Sequence, residues 1–375
     1  MEVRIKQLEK LMYQFITKKK PFMVLGAPGI GKSDTPRKIG KIIASELKME
    51  FVEDKIEETN KYNLLDLRLA QLEPSDLRGL PFPEQQKYVR WLLPTFLPRA
   101  GQGIIFLDEF NTCAPSMQAA ALQLILNRKI GDYVVPEGYA IIAAGNRPED
   151  KANVFPISGP LANRFAHATL MPPSKDEWRD WAFENNIRPD IIAFMEFKPS
   201  LLFKFNKNSN DLAWPSPRSW AMASYMTQEY EYKTKDKENV KKGDIEVLDE
   251  EFMLVASCVG EPTAVEYQGF VKMKNRIDLN DILKNPSKVK KIEDIGLKWS
   301  LISGLSEIYK GDLIKPQEKR RTKEILDVVS EMPPEFGVFL LRIMRAMNPS
   351  KVVSEGSGLP TCSKVYESVS KFSMK

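Results

Sequence analysis

The 375-residue sequence predicts an α/β core built on a parallel sheet, followed by an all-helical half. Three observations predict it. Apolar runs without alternation recur as far as Leu170, the pattern of strands covered on both faces. A glycine-rich turn, Gly26-Ala27-Pro28-Gly29-Ile30-Gly31-Lys32-Ser33, joins the first of these runs to a helical pattern. From Pro172 onward, strand patterns give way to helical ones rich in Trp, Phe and Met.

In chain order, Met1 to Lys19 reads as a helix with Val3, Leu8, Leu11 and Phe15 on one stripe. Lys18-Lys19-Lys20 suits a solvated helix end. Phe22 to Leu25 is the first strand, and Ile39, Ile42, Ile43 and Leu47 mark the helix after the glycine turn. Pro36 removes a hydrogen bond one turn into that helix. Met49 to Lys61, rich in Glu and Lys, reads as a surface excursion, and Asn63 to Leu67 as the second strand. Prolines and a glycine break the chain from Glu73 to Pro81, and Leu77 to Leu93 reads as a hairpin-like insertion off the core. Gly103 to Leu107 is a buried strand ending in Asp108 and Glu109. Pro115 to Asn127 is an amphipathic helix and Ile130 to Pro136 a hairpin. Tyr139 to Ala144 is a strand ending in Gly145-Asn146-Arg147, and Ala166 to Leu170 a short strand holding the single histidine, His167. That makes five core strands. Helices follow at Lys175–Asn185, Arg188–Phe197, Ser219–Tyr230, Phe252–Phe270, Leu297–Tyr309 and, broken at Pro333-Pro334, Ile325–Met347. Lys233 to Lys242 is a charge run and Lys310 to Arg321 a basic, linker-like stretch.

Composition narrows the function classes. With 43% hydrophobic and 28% charged residues the chain is ordinary for a globular protein, and no run approaches the roughly 18 apolar residues of a membrane span. The N-terminus lacks a signal-peptide core. Three scattered cysteines, Cys113, Cys258 and Cys362, argue against a disulfide framework and for a cytoplasmic setting. One histidine and no Cys-x-x-Cys argue against zinc. A net charge of +5 with interspersed signs permits nucleic-acid contact without requiring it.

The glycine turn fits G-x-x-x-x-G-K-[ST] at every position, and in its strand-to-helix context it is a phosphate cradle. Gly29 and Gly31 let successive N–H groups turn inward toward phosphate oxygens, and the helix beginning near Asp34 adds the positive end of its dipole. Gly26, Ala27, Pro28, Gly29, Ile30, Gly31, Lys32, Ser33 and Asp34 are therefore the candidate nucleotide contacts. Lys32 reaches the β- and γ-phosphates, and the Ser33 hydroxyl ligates Mg²⁺. In a parallel sheet, ligands bind at the strands' carboxyl ends, so Asp108 falls near the same cation and Glu109 is suited to polarise an attacking water. The Asn146 amide could hold that water too. The plain alternative for Asp108 and Glu109 is a solvated strand end, and for His167 a structural role.

The segments PSDLRGLP (Pro74–Pro81), FLDEFN (Phe106–Asn111), AAGNRPED (Ala143–Asp150), PLANRF (Pro160–Phe165) and PSPRSW (Pro215–Trp220) occur in the order of an AAA+ ATPase. In detail the chain resembles the MoxR branch and its dynein- and McrB-related cousins. The resemblance covers roughly residues 20–230 and, more loosely, the helices to about 310; it implies a P-loop core over residues 1–171 with a parallel five-stranded sheet and a helical lid over 172–310, while the helical extension over 311–375 matches nothing in the family. It further implies a homo-oligomeric ring, usually a hexamer, with ATP and Mg²⁺ between subunits. Asn146 matches sensor 1, Arg164 the arginine finger entering the neighbour's site, and Arg218 sensor 2 on the lid. Leu77–Leu93 matches the helix-2 insert, which with the Ile130–Pro136 hairpin tends to face the pore. Such proteins commonly act as remodelling chaperones beside a partner carrying a von Willebrand factor A domain. A surface salt bridge is the ordinary alternative for Arg164, and a plain helix-start arginine for Arg218. Two other functions compete: a nucleic-acid translocase or restriction and defence NTPase contacting its strand through Arg78, Lys87, Arg90 and Trp91, and a nucleotide-gated scaffold with little turnover.

Overall fold

A computed structural model of the protein describes residues 1–84, 88–150, 154–206, 211–233, 246–314 and 321–348. Lys87, the charge run at 234–242 and residues 349–375 lie outside these. The chain forms two compact units, Met1–Pro173 and Ser174–Lys375.

The first unit runs β1 (Glu2–Val3), α1 (Ile5–Thr17), β2 (Phe22–Gly26), α2 (Asp34–Glu46), β3 (Phe51–Glu53), β4 (Tyr62–Arg68), α3 (Pro74–Arg78), β5 (Leu80–Glu84), β6 (Tyr88–Leu92), β7 (Gln102–Asp108), α4 (Pro115–Asn127), β8 (Lys129–Ile130), β9 (Tyr133–Val134), β10 (Tyr139–Gly145), α5 (Gly159–Ala162) and β11 (Ala166–Leu170). Its main sheet has seven strands in the order β1-β11-β2-β10-β7-β4-β3, every pair parallel. The central five are those predicted, and β1 and β3 extend the two edges. β3 lies inside the stretch expected to be a surface excursion. Only Val52 of its three residues is buried, so neither alternation nor an apolar run marks it, and charge on an edge strand is ordinary. β1 likewise replaces the start of the expected first helix, because Glu2 and Val3 pair with Thr169 and Leu170.

The sheet's interior explains its sequence. All of β10 is buried, as is β7 from Gly103 on, so both strands are apolar on both faces. On one face lie Met117, Ala121, Leu124 and Ile125 of α4, packed with Met23, Ile105, Leu107 and Phe110. α1 buries Leu8, Met12 and Ile16 at four-residue spacing. Its stripe is therefore one residue on from the expected Leu11 and Phe15, and Phe15 instead stacks on Phe22 with ring centroids 4.9 Å apart. Pro36 is the third residue of α2, within the first turn where a missing N–H is tolerated, and the helix runs on to Glu46. β5 and β6 form an exposed hairpin away from the main sheet. Leu77 does not belong to it: that residue is fully buried in α3.

The second unit contains, among the described residues, α6 (Lys175–Glu184), α7 (Pro189–Phe197), α8 (Pro217–Lys233), α9 (Glu246–Val259), α10 (Glu261–Met273), α11 (Leu279–Lys284), α12 (Ile295–Ile314), α13 (Thr322–Glu331) and α14 (Pro334–Met347). The helix expected over Phe252–Phe270 is two helices, broken at Gly260. That residue has φ 86°, and a Cβ there would stand 2.8 Å from the Ala213 carbonyl oxygen. One apolar core, with Phe194, Trp220, Tyr267 and Phe270 at its centre, also takes in Ile325, Leu326, Leu340 and Met344. α13 and α14 therefore share the core of the preceding helices.

This unit also buries charge. Arg188 makes a bidentate pair with Asp190, Nε donating to Oδ1 at 3.0 Å, and its Nη1 donates to the Thr227 carbonyl at 2.8 Å. The Tyr267 hydroxyl donates to Asp190 at 2.8 Å. Glu251 stands 2.7 Å from Nη1, although its Oε1 lacks a well-directed hydrogen bond. Burial opposes the charge on Asp190, yet Arg188 beside it holds the carboxyl below its ordinary range. Burial pushes Glu251 up, and Arg188 only partly offsets it.

Candidate active site

Strand register gathers the predicted residues. Gly145 of β10 is opposite Leu25 of β2, which puts Asn146 level with Gly26, where the glycine turn begins. On its other side β10 pairs Ala143 with Leu107, so Asp108 and Glu109 end β7 at the same height. A phosphate turn, an acidic strand end and an amide thus converge at one edge of the sheet, the edge at which parallel α/β sheets bind ligands.

The turn has the backbone its sequence requires. Gly29 and Gly31 have φ of 76° and 97°, values that L side chains adopt only with strain. Ile30 and Ala27 are buried beneath it, and Pro28 and Gly29 are partly exposed. Asp34 opens α2. Lys32 is buried, and its ammonium donates to the carbonyls of Gly26 and Ala27, each at 2.7 Å, and to Asn146 Oδ1 at 2.9 Å. The sequence places a cation and an amide near the same phosphate; here the two touch directly.

The Ser33 hydroxyl donates to Asp108 Oδ2 at 2.8 Å, and Asp108 Oδ1 accepts from the Glu109 N–H at 2.9 Å. The two residues expected to share a cation are therefore adjacent. A hydroxyl and a carboxylate are hard oxygen donors of the kind Mg²⁺ prefers. Among the described residues no cluster of three or more His, Cys, Asp or Glu could hold a metal.

Glu109 lies just past β7 with φ 51° and ψ 37°, a left-handed conformation costing roughly 1–3 kcal/mol for a non-glycine residue. Its carbonyl accepts from the Thr112 N–H at 2.9 Å and from the Thr112 hydroxyl at 2.7 Å, which locks the turn. The Glu109 side chain is left exposed while its neighbours Asp108 and Phe110 are buried.

Arg37 and Asp66 took no part in the sequence reading of the site. Arg37 donates to the Ser33 carbonyl at 2.8 Å, to Asp66 at 2.7 Å and to Glu53 at 3.0 Å. Burial works against its charge, but these ion pairs outweigh it and raise its pKa. Burial also raises Asp66; Arg37 opposes that shift and the nearby Asp108 charge adds to it. Arg37 falls four residues after Ser33, one helical turn on, a spacing visible in the sequence. Its carboxylate partners come from separate strands and left no local trace.

The other predicted residues stand apart. Arg164 is exposed in the turn between α5 and β11, and among the described residues its side chain has no partner. Arg147 next to Asn146, by contrast, is held by Asp150 through two bonds of 2.7 Å. Arg218 is exposed in the first turn of α8, where Ser216 and Ser219 cap the helix reciprocally at 2.8 and 3.1 Å. It belongs to the second unit. The ring of His167 lies 2.7 Å from the Ala162 carbonyl, beside the turn to β11. No helix among the described residues is long and apolar enough to cross a membrane.

No protein-family model and no curated protein matches the chain. Solved structures do. A RuvB variant from Thermotoga maritima is 12% identical over 78% of this chain and 85% of its own, with a TM-score of 0.36. NtrX from Brucella abortus is 15% identical over 80% of this chain and 68% of its own, at 0.37. The ORC2 protein of Aeropyrum pernix, solved as ADPNP–ADP complexes, is 11% identical over 84% and 76%, at 0.36. The assignment of a P-loop α/β core rests on the chain's own strand order and glycine turn.

Proposed function

We propose that the protein is an Mg²⁺-dependent ATPase of the AAA+ class, of MoxR-like type, which works as a ring to remodel or activate a protein partner. The observation that carries the ATPase reading is the convergence of Lys32 with Asn146, and of Ser33 with Asp108, at strand ends beside an exposed Glu109. Phosphoryl transfer needs positioning and neutralisation of spreading negative charge, and these residues supply both. The loop amides and Lys32 bind the β- and γ-phosphates. Ser33 and Asp108 would hold Mg²⁺, which would supply neutralisation of the charge on the phosphate oxygens. Glu109 accepts the proton of the attacking water, and Asn146 orients that water against the γ-phosphate. In that role Lys32 would give up its carbonyl and amide partners, and the Ser33 hydroxyl its bond to Asp108.

The arginine finger fits Arg164, whose guanidinium is exposed and without a partner among the described residues. A planar fork that never deprotonates pairs with phosphate in two places. Supplied by a neighbouring protomer, it ties hydrolysis to ring closure. Arg218 remains the candidate for the sensor 2 role that the family resemblance implies. The remodelled protein, or a von Willebrand A-domain partner, would meet the exposed β5–β6 hairpin. The decisive experiment is mixing. Arg164→Ala should bind ATP normally and lose roughly 10³–10⁵ in turnover; combined with Glu109→Gln, it should regain turnover. Native activity in Arg164→Ala alone would remove the finger from the reading.

A nucleic-acid translocase is the second reading, favoured by the aromatic and basic exposure of that hairpin: Phe82 at 56%, Tyr88 at 69%, and Arg90 beside Trp91. ATPase stimulation by single-stranded or duplex DNA that disappears at high salt would support it. A scaffold with little turnover instead predicts that Glu109→Gln leaves the biological output intact.

A further inference from the structure

Two residues beyond the strained backbone of Glu109, a side chain reaches across to the neighbouring strand. Asn111 is buried, 3% exposed, and its carboxamide makes a closed pair of bonds with the backbone of Asn146. Oδ1 accepts from the Asn146 N–H at 3.0 Å, and Nδ2 donates to the Asn146 carbonyl at 2.7 Å. The fit is tight: a Cβ on Gly145 would stand 2.6 Å from Asn111 Oδ1 and 3.0 Å from Met23 Cε. The Asn111 carbonyl is also occupied, accepting from the Phe155 N–H at 2.7 Å. The side chain thus satisfies both backbone groups of one residue at the point where β10 ends and ladder hydrogen bonds stop.

We propose that Asn111 is a positioning residue for hydrolysis. It fixes the peptide of Asn146, and so the direction in which the Asn146 amide points, relative to the Glu109 turn. The inference rests on the ATPase reading above, in which Asn146 orients the attacking water. Its physical content is a rigid link. Glu109 and Asn111 belong to one locked turn, and Asn111 grips Asn146, so the water-polarising carboxylate and the water-orienting amide share one frame. A side chain that binds both the N–H and the C=O of a residue sets the rotation of that segment, which a single bond would leave free. Misplacing a catalytic group by about 1 Å can cost roughly 10²-fold in rate.

The test is a double-mutant cycle on the full chain, read as ATP turnover and ATP affinity. Asn111→Leu removes both bonds at similar volume. Asn111→Asp keeps the acceptor for the Asn146 N–H and loses the donor, and serves if the first variant does not fold. In the native background each should lower kcat by roughly 10- to 100-fold, with ATP affinity changed by less than about threefold. In an Asn146→Ala background the same substitutions should lower kcat hardly further, because the group they position is gone. Equal losses in both backgrounds mark a merely structural residue and overturn the proposal. Loss of turnover in Glu109→Gln and Asn146→Ala with native turnover in both Asn111 variants overturns it while the ATPase reading stands. A native protein that hydrolyses no ATP ends both.

Discussion

Each unit buries a cluster of polar and charged side chains, and the two clusters are built differently. In the helical unit, Arg188 is enclosed by Asp190, Glu251, Thr227 and, through Asp190, Tyr267, so charge meets opposite charge on fixed helices. At the sheet edge of the first unit, Lys32 is held by backbone carbonyls and an amide, and a serine hydroxyl occupies one oxygen of Asp108. A bond between an ion and a neutral group lacks the Coulomb attraction of two opposite charges, and it is exchanged when a phosphate or a cation offers that attraction. Burial of a charged residue therefore does not mark function; what surrounds the charge does. The arginines repeat the contrast. Arg37, Arg147 and Arg188 are held by carboxylates, whereas Arg164 and Arg218 are exposed.

Substitutions at the two clusters should separate activity from stability. Lys32→Ala has the largest expected effect. In the proposed site it removes the ammonium assigned to the β- and γ-phosphates, at roughly 1.5–3 kcal/mol for each bond, so ATP binding should weaken by at least about 10²-fold while the unfolding midpoint changes little. Titration with a fluorescent nucleotide checks this, and normal affinity would erase the distinction. Glu109→Gln should keep ATP binding and lose roughly 10²–10⁴ in turnover, measured as phosphate release. Arg188→Met should do the converse. It leaves Asp190 buried without its cation, which costs about 3–5 kcal/mol in a denaturant titration, and it should leave nucleotide affinity of the folded protein intact.

Acid sharpens the comparison further. Asp190 is held below its ordinary pKa of 3.8. Its pair therefore contributes stability that is present above pH 3.8 and lost as pH falls through the lowered folded-state value. Glu251 runs the other way. Its folded-state pKa is raised above 4.5, so its ionisation costs stability as pH rises from 4.5 through that value. Glu251→Gln should flatten that part of the stability profile, the smallest of these effects. A profile unchanged by that substitution would mean Glu251 stays solvated.

Much of the site was legible in advance because it is local. The phosphate turn needs glycine at Gly29 and Gly31 and a lysine and hydroxyl next in line, so one eight-residue segment carries the chemistry. Asp108 and Glu109 were legible because an unbroken apolar strand ends in them. Asn111 and Asp66 were not, although Asn111 lies two residues past Glu109. The meaning of a buried amide depends on which backbone it faces, and Asn146 is 35 residues away. The edge strand β3 was hidden for a related reason: three residues with one buried side chain have too little period to read.

The sequence by itself determined the five central strands, the phosphate turn and the alternation of apolar runs with helices, because propensity, periodicity and glycine chemistry act between near neighbours. Only the tertiary structure decided that β10 lies between β2 and β7. That register joins Lys32 to Asn146 and Asn146 to Asn111, since pairing between distant strands depends on the packing of the whole sheet.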